Sequence, residues 1–170
     1  MTAWQRALAL CLAVMMAIAG WYSRTLPAQA AIRVTEEAPG QFLYQTRHSL
    51  RDDSGQPWQV VFFKRQRPER APLVHLRLVG FPTVTTFEHP QPLPIWVDSE
   101  PVAMADDVFG ARSPSPNVGE YDFATRLADL PAVSFLQLQL PLTEPRSLRI
   151  PYFVVQQWRA VAARDAAAAP

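Results

Sequence analysis

From residue 42 to residue 50 the chain alternates. Phe42, Tyr44, Thr46, His48 and Leu50 fall on one face and Gln45, Arg47 and Ser49 on the other, the period of two that marks a half-buried strand. Asp52-Asp53-Ser54-Gly55-Gln56 interrupts the pattern as a turn cluster. Trp58 to Lys64 (WQVVFFK) then supplies a second strand of β-branched and aromatic residues. The pair predicts a hairpin with a connection of five or six residues. Leu73 to Val79 predicts a third strand, stopped at Gly80-Phe81-Pro82, and Val84 to Phe87 a short fourth. His89 to Pro94 is expected to be extended, because each proline fixes its own φ and biases its predecessor away from helix. Ile95–Val97, Ser134–Leu140 and Leu148–Ile150 complete the expected strands.

Two helices are expected. Behind Asp122 as a cap, Phe123, Leu127 and Leu130 recur at i, i+4 and i+7 until Pro131 stops them. Pro151 suits a first helical position, and Val154, Trp158 and Val161 form one apolar stripe backed by Val155 and Ala162. Ser99-Glu100-Pro101 is read as the opening of a helical turn that ends at Gly110, and Arg112 to Gly119 as a loop. Residues 31–41 read as a polar lead-in, and Asp165 onward as an Ala-rich end that frays. The balance predicts one α+β domain over 42–164: a mainly antiparallel β-sheet with the C-terminal amphipathic helix packed on one face. An immunoglobulin-like β-sandwich is the alternative.

The first thirty residues break this pattern. Arg6 precedes an uncharged run from Ala7 to Tyr22, and Ala28-Gln29-Ala30 places small residues before Ala31. That layout predicts a signal peptide over 1–30, cleaved after Ala30. The alternative is an N-terminal membrane anchor, although the run is shorter than the roughly 20 residues that span a bilayer. Cleavage changes the charge balance: 16 Lys+Arg lose Arg6 and Arg24, leaving 14 against 15 Asp+Glu. It also removes Cys11, the sole cysteine, so an exported domain must be held by its core and not by disulfides.

A near-neutral chain offers no electrostatic ground for nucleic acid as a partner. Cysteine and histidine are too few and too scattered for a zinc site, and six glycines form no phosphate loop. No serine lies in a nucleophile elbow, so no catalytic residue, cofactor or metal ligand is assigned. His48 is expected to pack in the hairpin, His75 to lie with Arg77 on a solvated sheet face, and His89 to sit on a rigid loop. Asp98, Glu100, Asp106 and Asp107 lack the spacing of a calcium loop. Lys64 to Arg70 (KRQRPER) is read as a solvated hairpin exit, with contact to anionic headgroups or an acidic protein as the alternative. The remaining lead is aromatic. Phe81, Phe87, Trp96 and Phe109 lie on Pro-rich stretches with His89 among them, and are expected to form an apolar contact patch that loses little entropy on binding.

The stretches WQVVFFK (58–64), LRLVGFP (76–82), HPQPL (89–93) and NVGEYD (117–122) resemble a family of exported cyanobacterial proteins that carry a domain of unknown function. The resemblance covers about residues 42–160 and brings no catalytic residues. It implies a photosynthetic cell and a destination in the periplasm or thylakoid lumen. The expected function is therefore that of a non-enzymatic accessory protein that meets a protein or membrane-complex surface, with peripheral membrane contact, and assists assembly or maintenance of a photosynthetic complex. Two alternatives remain: a carrier of a hydrophobic small molecule or lipid, and a cofactor-free hydrolase.

Overall fold

Alternation in the sequence becomes strand register in the structure. The computed structural model describes residues 32–110 and 112–165; the leader expected at 1–30 and the last five residues of the Ala-rich end lie outside the described residues. Nine strands and two helices follow in order. They are β1 (Arg33–Ala38), β2 (Gln41–Arg51), β3 (Pro57–Gln66), β4 (Leu73–Val79), β5 (Leu93–Val97), β6 (Glu100–Ala105), β7 (Val118–Asp122), the single-turn α1 (Arg126–Asp129), β8 (Phe135–Leu140), β9 (Arg146–Pro151) and α2 (Tyr152–Ala162). They build two antiparallel sheets, one ordered β1-β2-β3-β4-β7 and the other β6-β5-β8-β9. The architecture is the expected α+β arrangement, with antiparallel strands and a C-terminal helix packed against them.

The β2–β3 hairpin runs in register from Phe42 opposite Gln66 to Arg51 opposite Pro57. Its inward residues, Tyr44, Trp58, Val60 and Phe62, join Leu76 and Leu78 of β4 in the core. The second sheet contributes Leu93, Ile95, Leu136, Leu138, Leu148 and Ile150 to the same core. Each such side chain adds about 1.5–3 kcal/mol of burial free energy. Helix α2 buries Val154, Val155, Trp158 and Val161, the expected stripe. Trp158 stacks on Phe62 at 5.2 Å and meets Phe123 edge-on at 5.8 Å. Rings therefore fill the space between helix and first sheet.

Several expectations need correction. The polar lead-in contains strand β1, whose residues are largely exposed; an edge strand that buries little has no apolar period to announce it. Pro39-Gly40 is the turn that returns it to β2, with Gly40 at φ 71°. Val84–Phe87 does not form the expected strand; Phe87 makes an isolated bridge to Leu142. The helical turn expected after Ser99 is β6. Val97 pairs with Glu100 across the two-residue turn Asp98-Ser99, and Asp98 takes the left-handed conformation (φ 53°) that such turns require.

The loop expected up to Gly119 ends in β7, which pairs along β4 from His75–Asp122 to Val79–Val118. Gly119 lies in that strand because a Cβ there would meet Phe87 at 2.7 Å and the Tyr121 hydroxyl at 2.9 Å. Asp122 does not cap α1; its Oδ1 accepts the Ala124 N–H at 2.8 Å, one turn earlier. Phe123, Leu127 and Leu130 are nonetheless buried as expected. Pro151 closes β9 and stands at the α2 cap, before the first helical residue. Asp165, expected to begin a fraying end, receives bonds from Lys64 and Tyr44.

Isolated bridges stitch the two sheets at their margins. Asp52 pairs with Leu148 on one side, and Asp107 with Tyr121 on the other. Among the described residues no helix is long and apolar enough to cross a membrane.

Candidate functional site

The three histidines are each held by a neighbour. On the outer surface of the first sheet, His75 Nδ1 lies 2.8 Å from Glu120 Oε1, while Arg77 Nε donates to Glu120 Oε2 at 2.6 Å. Burial alone favours the neutral form of Glu120. The bonds from His75 and Arg77 outweigh it and hold the carboxyl below its usual range. His75 is thus buried and paired, not solvated as its alternation suggested. His48 packs edge-on to Phe153 at 6.1 Å. Burial lowers its pKa, and the neighbouring Gln157 amide opposes that only in part.

His89 belongs to a tighter cluster. Its Nδ1 lies 2.5 Å from Asp107 Oδ2, and Asp107 Oδ1 accepts the Phe109 N–H at 3.0 Å. Phe87 and Phe109 flank the imidazole at 6.1 and 6.2 Å. His89 Nε2 and the Tyr121 hydroxyl are buried and lack a protein partner. Burial, and after it the charge of Asp107, pushes the Tyr121 phenol far above its ordinary range, so it remains protonated. The contact of Nδ1 with Asp107, beside the buried Nε2, ties the His89 loop to the segment that follows β6.

The five residues expected to form a contact patch separate. Phe87, His89 and Phe109 come together, but Phe87 is 5% exposed and packs edge-on against Trp58 at 5.8 Å. That corrects its placement on the surface: the bridge to Leu142 draws its ring into the core. Trp96 is half-buried on β5 of the second sheet, opposite Gln137. Phe81 stands in solvent at 57% exposure, accompanied by Val84 at 56%.

Their loop is anchored. Val84 and Thr85 donate backbone N–H bonds to Phe81 O, Gly80 N donates to Asn117 O, and buried Asn117 Nδ2 donates to Gly80 O at 2.8 Å. Gly80 lets the loop fold back, since a Cβ would fall 2.5 Å from Thr85 Oγ1. A groove of about 340 Å³ lies beside it, lined by Ser49, Gln59, Val79, Phe81 and Pro82 among others.

Two arrangements carried no legible sequence signal. Asp52 Oδ1 accepts from Ser54 N, Ser54 Oγ and Gln56 N, and Oδ2 accepts the Trp58 indole N–H at 3.1 Å. Burial would raise this carboxyl, but those bonds bring it below its ordinary value. Arg146, more than ninety residues away, approaches Asp52 to 3.6 Å and bonds Ser54 Oγ. Turn chemistry foretold the local bonds; the arginine was invisible. Lys64, the chain's sole lysine, was expected to open a solvated hairpin exit; it is instead buried in β3 and donates to the Ala162 carbonyl at 2.9 Å and to the Arg164 carbonyl, because its side chain is on the inward face of the strand. Among the described residues no three His, Cys, Asp or Glu side chains gather as a metal centre would need.

Comparison with the curated proteins and with the solved structures finds no match. Residues 30–161, spanning both sheets and nearly all of α2, match the family model described as a protein of unknown function, DUF3122, and the chain belongs to that family.

Proposed function

We propose that the chain is a non-enzymatic binding protein that works outside the cytoplasm and docks on a protein surface through the loop at Phe81. The observation that supports this best is the pair Phe81 and Val84, more than half exposed on a loop tied down by Asn117 and its own backbone bonds. Contiguous exposed apolar surface marks interaction sites, Phe81 and Val84 present theirs from one loop, and an already ordered loop loses little entropy when it docks. The leader-like segment before Ala31 supports export. The resemblance to exported cyanobacterial proteins supports the periplasm or thylakoid lumen as the destination, and assembly or maintenance of a photosynthetic membrane complex as the task. The engagement of His75 and His89 by buried carboxylates fits structural roles better than turnover. A lipid carrier would need room where the Phe62, Phe123 and Trp158 rings pack together.

The test compares partners captured from membranes by the tagged chain and by a Phe81→Ala/Val84→Ala variant. The variant is expected to recover at least about tenfold less of the partner, as loss of a central apolar anchor costs. Equal recovery would remove the docking loop. Sequencing the mature amino terminus checks export: Ala31 is expected first, and an intact Met1 on the protein inside the cell would overturn that part.

A further inference from the structure

The outer face of the first sheet carries an ordered array of arginines. Cross-strand pairing sets Arg47, Val61, Arg77 and Glu120 in one row across β2, β3, β4 and β7. The next row holds Arg33, Gln45, Phe63, His75 and the exposed Asp122, whose carboxylate turns back to the Ala124 N–H, and Leu43 stands opposite Arg65 in the third. Directly opposed residues of antiparallel strands share a face. Three guanidiniums therefore surround a floor made by Val61 and Phe63, which are only 8% and 4% exposed. The depression between them is about 160 Å³, bounded by Arg47, Arg65, Arg77, Gln45 and Gln59. That volume suits a side chain, not a cofactor.

Two of the arginines are held in place. Arg65 grips Glu37 through Nε and Nη2 at 2.8 and 3.0 Å, and Arg77 bonds Glu120. Both guanidiniums lie over the Phe63 ring, at 5.6 and 5.4 Å from its centroid. Arg47 and Arg33 are exposed, and among the described residues no carboxylate pairs with either. The face thus combines fixed forks with unneutralised positive charge above an apolar floor. Planar guanidiniums match carboxylates in two-point contacts. The depression borders the groove beside Phe81, since Gln59 and Val79 line both.

We propose that this face binds an extended acidic segment of a protein partner, with Asp or Glu side chains entering the depression against Arg47 and Arg77. The inference rests on the docking reading above and supplies the partner's chemistry. A recessed floor favours a peptide over a lipid surface: Val61 and Phe63 lie too deep to insert into a bilayer, and a bilayer cannot send single side chains into the depression.

The test uses the full chain and three probes: a fluorescent Glu-rich peptide, the same peptide with every Glu replaced by Gln, and phosphatidylglycerol vesicles against phosphatidylcholine ones. The Glu peptide is expected to bind at least about tenfold more tightly than the Gln peptide, and to weaken as salt rises. Arg47→Gln should remove about tenfold of that affinity at unchanged thermal stability, since Arg47 is exposed. Arg149→Gln, on the other sheet over Phe135, should leave it intact. Equal binding of the two peptides, no binding of either, or indifference to Arg47→Gln overturns the proposal. So does a preference for phosphatidylglycerol vesicles over the Glu peptide. If the peptide binds as expected while Phe81→Ala/Val84→Ala still captures its partner in full, the arginine face stands and the docking loop fails.

Discussion

Glu120 remains charged in a buried position because two donors reach it from β4. Its folded pKa is depressed below the ordinary glutamate value of 4.5. Linkage then fixes the sign: the carboxylate's contribution to stability is complete above 4.5 and disappears as pH falls through the lower folded value. Glu120→Gln is expected to flatten the acid limb of stability against pH in that window. Urea midpoints measured for both proteins through the acid range check this, and parallel curves would show that the charge of Glu120 is immaterial. The sequence placed His75 and Arg77 on one face correctly, yet it could not show that the pair is buried. The group that buries and binds them arrives from β7, 45 residues on from His75. A pattern read within one strand carries no information about its neighbour's side chains.

At the scale of elements, helix α2 illustrates how a cap can come from afar. Helices leave their last carbonyls unpaired. Here Lys64, pointing inward from β3, donates to the carbonyls of Ala162 and Arg164 at the end of α2. A positive group there also suits the helix dipole. Lys64→Met keeps the length of the apolar stem and removes the donor, and is expected to cost about 1.5–3 kcal/mol, the range for charge-assisted bonds. Denaturant unfolding gives the total, and hydrogen exchange at Val161 and Ala162 shows whether the loss begins at the helix end; unchanged exchange there would sink the capping role. The elements with a strong apolar period, β2, β3, β4, β8 and α2, were legible. Strands β1, β6 and β7 were not. β1 is an exposed edge, β6 begins with Glu-Pro straight after Ser99 so that Ser-Glu-Pro mimics a helix start, and β7 carries Gly119 where a side chain would collide with Phe87.

Across the molecule, the two sheets share one core and meet at Asp52 and Asp107. The Asp52 carboxylate gathers the β2–β3 turn, the Trp58 indole and Arg146 of β9 at one margin. Asp52→Ala leaves the buried indole N–H and the turn amides of Ser54 and Gln56 without their acceptor, while Arg146 keeps Glu144. The expected cost is about 1.5–3 kcal/mol, the range for hydrogen bonds to a charged group. Tryptophan fluorescence and far-UV circular dichroism should still trace one coincident unfolding transition, displaced as a whole, because neither sheet covers its inner face alone. Separate transitions would show two independent units. The candidate site was legible only in part at this scale. Phe81 was identified as a surface aromatic and is one, whereas Phe87 was drawn inward by a bridge to a residue 55 positions away. The arginine face went unread because its members come from four different strands.

Local periodicity and turn chemistry were therefore enough to establish the α+β class, the first hairpin with its Asp-rich connection, and the buried stripe of the last helix. These features depend on neighbours within a few residues, and the chain states them openly. Which aromatics face solvent, which carboxylates hold His75 and His89, and where arginines from separate strands converge emerge only when distant segments pair. Cross-strand register joins residues tens of positions apart, and no spacing along the chain encodes that juxtaposition.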